Sequence, residues 1–176
     1  MLDKTKPYLK NVEKYYDKWY KDYPQVRWTI SAYTLYVRDL IGDKDTAKAK
    51  ALLKEATLEK LPFEATGWIL SVLADDKNSA AEVEAIKRFL MNRTTETAAT
   101  ANFVTDYGDG GWLIMYSNRR ADGVLLEALI KADVLNKSAG INTGDLIPKL
   151  VRGLLDHRTK GACSKDACAG RPTVRE

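Results

Sequence analysis

Apolar residues recur at steps of three and four along most of the chain, and this spacing constrains the fold more than any other feature. Such steps place side chains on one face of an α-helix. The intervals between the stripes are short, which predicts an antiparallel array of helices. The first five stripes are Leu9, Val12, Tyr16, Trp19 and Tyr23; Val26, Ile30, Tyr33, Val37 and Leu40; Ala49, Leu52, Leu53 and Ala56; Ala65, Ile69, Val72 and Leu73; and Val83, Ile86 and Leu90.

The residues between these stripes have the chemistry of helix ends. Pro24 is predicted to end the first helix because proline cannot continue the backbone hydrogen bonds, and Gly42 to end the second in a left-handed conformation. Asp45 is predicted to cap the third helix, and Pro62 to start the fourth. Ser79-Ala-Ala-Glu82 has the pattern of a capping box, which predicts the start of the fifth helix.

The helical spacing is interrupted after the fifth stripe. Thr94–Thr105 is rich in threonine, which fits strands better than helices. Asp106–Gly111 has the composition of a turn, and Trp112–Tyr116 is a short apolar strand candidate. We predict one β-hairpin near residues 97–116, inserted among the helices and forming the only sheet. The alternative is a helix from about Thr95 to Thr105 followed by a loop.

Two further helical stripes follow the polar run Ser117–Arg120, separated by a polar connection over Asn136–Asp145. Asp145 can cap the last helix, and Pro148 is tolerable because it lies in the first turn. The stripes are Val124, Leu125, Ala128 and Leu129, and Ile147, Leu150, Val151, Leu154 and Leu155. The sequence therefore predicts a mainly α domain of about seven helices over residues 1–160. Residues 161–176 lack periodicity and are predicted to be a disordered or aberrant tail.

The charge pattern favours neither a nucleic-acid surface nor a membrane surface. Lys and Arg number 28 against 24 Asp and Glu, a net charge of only +4, and the two signs are interleaved. No run approaches the roughly 18 apolar residues needed to span a bilayer. The first residues lack the apolar centre of a signal peptide. Taken alone, these features indicate a cytoplasmic protein or a segment of a longer one.

The residues that most often carry chemistry form no recognisable site. His157 is the only histidine, which disfavours a Ser-His-Asp relay or a multi-histidine metal site, and it lies where a helix C-terminus stabilises an imidazole. Cys163 and Cys168 fit neither a zinc pattern nor a disulfide framework, so we expect accessible thiols. Asp106 and Asp109 lack the further oxygen ligands of a calcium loop, and a turn explains them better.

The acidic residues that could act as acid and base are predicted to be solvated. Each lies at a helix start, in a loop or on a polar helix face, and their spacing does not pair them. These residues are Glu64, Asp75, Asp76, Glu82 and Glu84. We therefore predict no catalytic, cofactor-binding or metal-binding residue, no cofactor, and no enzymatic activity.

Aromatic residues are dense near the start of the chain. Some lie off the predicted inward face, so the segment is either a contact surface or a helix packed on two sides by its own domain. Both interpretations remain open from the sequence. The residues are Tyr8, Tyr15, Tyr16, Trp19, Tyr20 and Tyr23.

Several runs resemble the helical domain of large bacterial α2-macroglobulin-like proteins. The resemblance extends from about Val26 to Gly161, and its most specific parts are residues 119–126, Arg-Arg-Ala-Asp-Gly-Val-Leu-Leu, and 146–155, Leu-Ile-Pro-Lys-Leu-Val-Arg-Gly-Leu-Leu. It implies a thioester-type domain, which is an α/α toroid like that of terpenoid cyclases. It also implies a location in the cell envelope, periplasmic or membrane-anchored. The longer runs that carry the resemblance are Thr94–Thr105, Ser117–Leu129 and Asp145–Arg158.

Proteins of this family offer a bait region to a protease, change shape when it is cut, and enclose the attacker. The present sequence departs from the pattern because it has no Cys-x-Glu-Gln thioester element, and its helices supply about half of a toroid of twelve. Beyond Gly161 the family continues with further helices, whereas this chain has the cysteine-containing tail. A truncated or shifted reading frame is our hypothesis for that tail.

The resemblance implies a fragment of an endopeptidase inhibitor that has a structural and interaction role. Its expected partners are the missing half of the toroid, the remaining macroglobulin domains and, through the full-length protein, proteases. One alternative is an α/α-toroid enzyme acting on a polysaccharide or an isoprenoid, which would need paired acids around a central cavity. Another is a free-standing helical module that binds proteins, although no 34-residue repeat is visible.

Overall fold

Helices dominate the parts of the chain that the computed structural model describes, which are residues 2–105, 107–135, 143–159 and 162–163. The prediction of a mainly α fold with about seven helices is confirmed. Closure of these helices into part of an α/α toroid stays a prediction. The helices are α1 (Leu2–Lys10), α2 (Pro24–Leu40), α3 (Thr46–Ala56), α4 (Phe63–Leu73), α5 (Ala80–Arg93), α6 (Asn118–Leu135) and α7 (Leu146–Asp156), and the strands are β1 (Thr95–Glu96), β2 (Ala101–Asn102), β3 (Arg158–Thr159) and β4 (Ala162–Cys163).

Helix α4 is the centre of the array. Every residue from Glu64 to Leu73 is buried, as expected of a helix that is apolar on nearly all sides. It packs most extensively against α6 and α2, and also contacts α3 and α5. The hydrophobic core therefore surrounds one helix and does not lie between two layers.

Two glycines allow close approach between elements. A Cβ atom on Gly67 would come within 2.8 Å of the side chain of Val124, so the absence of a side chain lets α4 and α6 pack tightly. A Cβ atom on Gly153 would overlap the carbonyl oxygen of Ala101, where α7 crosses β2. Backbone cannot yield as a flexible side chain can, so the second contact is the stricter constraint.

The predicted helix ends are partly confirmed. Gly42 has a φ of +74° just after α2, and the Asp45 carboxylate accepts the backbone N–H of Lys48 at 3.0 Å. The predicted capping box is wrong. Ser79 does precede α5, but its hydroxyl donates to the carboxylate of Asp76 and makes no capping bond. Glu82 lies 3.0 Å from the ammonium group of Lys50.

The first predicted helix is not continuous. After α1 the chain forms two short 3-10 helices, Val12–Tyr15 and Lys18–Asp22, before α2 begins at Pro24. Val12 is the one buried residue of these two turns, so little burial is available to stabilise a long helix there. Pro24 does not end the first helix as predicted, because that helix already ends at Lys10. It is instead the first residue of α2, where its missing N–H costs nothing.

The buried face of α2 differs from the predicted stripe. Tyr33 and Leu40 are 50% and 64% exposed, whereas small and polar residues face the core. Thr29 and Thr34 can be buried because their hydroxyls donate to the carbonyl oxygens four residues earlier, at 2.7 and 2.8 Å. The buried residues of α2 are Val26, Thr29, Ser31, Ala32, Thr34, Leu35 and Arg38.

The inserted hairpin is present, but it is shorter and earlier than predicted. Strand β1 pairs antiparallel with β2, so that Thr95 faces Asn102. The hydroxyl oxygen of Thr97 accepts the backbone N–H groups of Ala99 and Thr100, which closes the turn inside the threonine-rich run. The predicted turn at Asp106–Gly111 is therefore not used, and the alternative helix over this run does not form either.

Residues 108–116, which we call the 108–116 segment, form no strand. Gly108–Ile114 is a 3-10 helix, and Trp112, predicted to lie in a strand, is 70% exposed. Gly110 packs against Tyr23, where a Cβ atom would lie 2.8 Å from the ring. Of the glycines that suggested a hairpin turn, Gly110 instead allows this segment to approach Tyr23 and Val26 closely.

The end of the described chain also departs from expectation. Asp145 precedes α7 without making a side-chain capping bond, and His157 follows α7 at its C-terminus as predicted. Strands β3 and β4 form a second two-stranded pair, which the sequence did not predict. The predicted domain boundary at residue 160 thus falls within that pair. Residues 106, 136–142, 160–161 and 164–176, which include most of the predicted tail, lie outside the described residues.

Candidate functional site

The fully buried carboxylate of Glu64 is the centre of a polar cluster. Arg120 binds it with two hydrogen bonds, from Nε to Oε1 at 2.7 Å and from Nη2 to Oε2 at 3.1 Å. The hydroxyl of Tyr107 donates to the same Oε2 at 2.8 Å. A buried carboxylate requires such partners, because desolvating an unpaired charge is costly. This cluster contradicts the prediction that Glu64 is solvated.

Tyr107 is held in its neutral form by these surroundings. Burial raises the pKa of the Tyr107 hydroxyl, and the adjacent Glu64 carboxylate raises it further. The phenol therefore acts as a hydrogen-bond donor to Glu64 and not as a base. Both carboxylate oxygens of Glu64 are occupied by donors from the protein, so the cluster as it stands holds elements together.

Arg120 also fixes the 108–116 segment. Its Nη2 and Nη1 groups donate to the carbonyl oxygens of Ile114 and Met115, both at 3.0 Å. Met115 has a φ of +46°, a left-handed conformation that a non-glycine residue adopts only when its surroundings enforce it. Arg120 thus connects the first turn of α6 both to α4 and to the end of this segment.

Asp122 forms a second buried clamp on the same turn of α6. Its Oδ1 accepts the backbone N–H of Phe103 at 2.8 Å, and its Oδ2 accepts a hydrogen bond from Arg119 at 2.8 Å. Burial raises the pKa of this carboxyl to about 6, against the opposing effects of the Phe103 N–H and of Arg119. The clamp attaches the chain that leaves β2 to α6.

A pocket with a cavity volume of about 380 Å³ lies beside the first cluster. Its wall is mainly apolar, with contributions from α2, α4, α6 and the 108–116 segment. The rings of Tyr33 and Trp68 lie against each other in it, with centroids 4.9 Å apart. The lining residues are Thr29, Ile30, Tyr33, Trp68, Ile114 and Arg120.

The other carboxylates that we considered as acid or base lie at the surface, as predicted. Asp75 pairs with Lys44, and Asp76 accepts from residues 78 and 79. Glu82 pairs with Lys50, and Glu84 lies 2.9 Å from Arg88 in the same helix. The structure does not bring any of these side chains to the Glu64 cluster.

Metal ligands do not gather in the described part of the chain, where no group of three or more His, Cys, Asp or Glu side chains could hold an ion. Cys163 lies in β4, while Cys168 and Asp106 lie outside the described residues. Asp109 falls within the 3-10 helix. Among the described helices, none is long and apolar enough to cross a membrane.

The aromatic segment near the start of the chain is exposed in part. Tyr8 and Tyr15 are 48% and 60% exposed and lie against each other, with ring centroids 4.6 Å apart. Trp19 is 42% exposed and stacks on Tyr20 at 4.2 Å. The exposure disfavours packing by the domain on two sides, one of the two interpretations of the sequence; a role in binding stays a prediction.

Sequence reasoning missed the Glu64 cluster because its members are far apart in the chain. One local signal was available: Glu64 opens a helix whose other residues are almost all apolar or small. A charge in such a helix indicates a buried partner. Comparison with protein families, with curated proteins and with solved structures finds no match to this chain.

Proposed function

We propose that this chain is part of the helical, thioester-type domain of a bacterial α2-macroglobulin-like protease inhibitor. In that protein it would have a structural and interaction role and no chemistry of its own. The observation that carries the proposal is the Glu64–Arg120 pair. Arg120 belongs to one of the two most specific runs of the resemblance, and its guanidinium holds α4, α6 and the 108–116 segment together.

The second specific run supports the same interpretation. Within it, Gly153 provides the close contact between α7 and the backbone at Ala101, and Leu146 and Leu150 are buried. The distinctive residues of both runs therefore stabilise packing. This is what a shared fold requires, and it does not depend on a reactive group.

Exposed apolar residues on α6 and α7 support a larger helical assembly. Ile130, Val134 and Leu135 of α6 are 43%, 57% and 50% exposed, and Val151 and Leu155 of α7 are 38% and 49% exposed. Ile130 and Val134, and likewise Val151 and Leu155, are four residues apart and therefore adjacent on a helix face, where exposed apolar groups can pack against another surface. In the proposed protein, further helices of the toroid would cover them, in an envelope-located inhibitor whose remaining domains contact the protease.

The test is protease protection, measured with a protein substrate and a small peptide substrate. The present chain alone should leave both activities unchanged, because trapping needs a bait and a body that encloses the protease. The product of the whole gene locus should protect the protein substrate selectively. Stoichiometric protection by this chain alone would contradict the structural role, and a whole product without selectivity would contradict the proposed inhibitor.

A further inference from the structure

The pocket between α2 and the 108–116 segment has the dimensions and the chemistry of a binding site. Its volume of about 380 Å³ lies within the range of small-ligand pockets, about 300–1,000 Å³. Trp68 is 9% exposed and forms part of the wall, whereas Tyr33 is 50% exposed. Their interplanar angle of 54° leaves two ring surfaces at an angle to each other, an arrangement that suits a third aromatic ring.

The charge at the pocket is balanced. Arg120 lines the pocket, and its guanidinium is paired with the buried carboxylate of Glu64. The two charges cancel, so the pair gives the site no net charge that favours an anion or a cation. The guanidinium of Arg120 can interact favourably with the face of an aromatic ring. The ligand that fits this wall is therefore uncharged and aromatic.

One buried polar atom adds a directional requirement. The Thr29 hydroxyl donates its hydrogen bond to the carbonyl oxygen of Gln25, at 2.7 Å. A hydroxyl oxygen has two lone pairs, so Thr29 can still accept a hydrogen bond, although its residue is only 3% exposed. We propose that the pocket binds an uncharged aromatic ring that carries one N–H or O–H donor, such as an indole or a phenol, and that the donor is directed to the Thr29 hydroxyl oxygen.

Indole and N-methylindole form the matched pair of probes, since they share the ring and differ in the donor. Binding is followed by the amide and indole NMR resonances of the whole chain, with Trp68 as the reporter inside the pocket. We expect saturable binding of indole, and N-methylindole weaker by about fivefold, the usual contribution of one hydrogen bond.

Thr29→Val tests the acceptor, because valine keeps the shape and removes the oxygen. The ratio of the two dissociation constants should fall to about one in this variant, since both probes then lack a partner. Thr34→Val is the control. Thr34 is also buried on the same helix and makes the same type of bond to a carbonyl oxygen, but it is not among the residues that line the pocket. Its variant should keep the preference for indole.

Tyr33→Ala tests the ring contact in a variant that should fold, because this side chain is half-exposed. It should weaken indole binding by up to about tenfold, the upper value for an aromatic pair. Tyr15→Ala, at a ring 60% exposed outside the pocket, should have no effect. N-acetyltryptophanamide then distinguishes a free ring from a protein side chain. Affinity similar to that of indole indicates a side chain, and much weaker binding indicates a free small molecule.

Three results would overturn the proposal. The first is the absence of saturable changes at Trp68 up to the solubility limit of indole. The second is a preference for indole over N-methylindole that remains intact in Thr29→Val. The third is indole binding that is unaffected by Tyr33→Ala.

Discussion

Replacing Arg120 with methionine tests the central clamp. Methionine keeps an unbranched apolar side chain about as long as the stem of arginine, but it removes the charge and every donor. The change breaks both bonds to Glu64 and the bonds to the carbonyl oxygens of Ile114 and Met115. Tyr107 would remain as a donor to the carboxylate.

The expected loss follows from the burial of the two partners. The Glu64 side chain is 0% exposed, so Arg120→Met leaves a buried carboxylate without its counter-charge. Breaking such a pair costs about 3–5 kcal/mol. The Arg120 side chain is 41% exposed, so water can approach from its side and reduce the penalty. We therefore expect the free energy of unfolding to fall by about 3 kcal/mol, at the lower end of that range.

A double-mutant cycle separates the charge from the other contacts. In a Glu64→Gln background the buried group is neutral, so Arg120→Met should cost only about 1 kcal/mol, the value of ordinary hydrogen bonds. Arg88→Met is the matched control. Arg88 also pairs with a glutamate, Glu84, but the two side chains are 64% and 46% exposed. That variant should lose at most about 0.5 kcal/mol.

The measurement is equilibrium urea denaturation, followed by far-ultraviolet circular dichroism. The free energy of unfolding in water comes from linear extrapolation, and an unchanged slope would show that the variants unfold from comparable states. A loss from Arg120→Met no larger than that from Arg88→Met would refute the reasoning. So would a cost that is the same in the Glu64→Gln background, because the coupling would then be zero.

Two further predictions use the same assay. Gly153→Ala should lower the free energy of unfolding by about 1–3 kcal/mol, because the new methyl group overlaps the Ala101 backbone. Gly123→Ala is the control, with open space around its Cβ position, and should raise the free energy of unfolding by up to about 1 kcal/mol. Equal effects at the two positions would contradict the packing argument. Burial raises the pKa of Asp122 from 3.8 to about 6. Between these two values the folded protein keeps a proton that the unfolded chain has lost. The protonated carboxyl therefore stabilises the fold at low pH, and this stabilisation is lost as pH rises from about 4 to 6. Asp122→Asn should remove that fall, which corresponds to about 3 kcal/mol, and a difference between variant and wild type that is the same at about pH 4 and about pH 7 would contradict the assignment.

The sequence predicts α4 well because its signal is strong and local. Pro62 marks its start, and the apolar run that follows fixes both its type and its burial. The predicted buried face of α2 was wrong because the periodicity was judged from the large apolar side chains alone. Thr29 and Thr34 satisfy their own hydroxyls within the helix, so they can face the core where small side chains let α4 approach, while Tyr33 and Leu40 remain outside.

The position of the hairpin was predicted wrongly and the Glu64 cluster was missed, for different physical reasons. The hairpin position depends on one hydroxyl, that of Thr97, which stabilises a tight turn inside a run of similar residues. Composition alone cannot show which threonine does this. The cluster depends on a bond between residues 64 and 120. The apolar surroundings of Glu64 indicate a buried partner, but no local pattern identifies which distant residue it is. Tertiary context decides both.

The first turn of α6 carries the residues of both buried clamps. Arg119 and Asp122 are three residues apart and share a helix face, from which Asp122 holds the backbone of Phe103. Arg120 points to a different side, where it holds Glu64 and the end of the 108–116 segment. One turn thus fixes both ends of the irregular chain between β2 and α6.

This arrangement connects the clamp to the proposed pocket. Ile114 and Arg120 both line the pocket, and the position of Ile114 is set by the bond from Arg120 to its carbonyl oxygen. The shape of the wall therefore depends on the buried pair with Glu64. By linkage, a ligand that binds only the folded pocket must stabilise the fold. A variant that loosens the Glu64–Arg120 pair must in turn lower the affinity for the ligand, because part of the protein population no longer has a formed site.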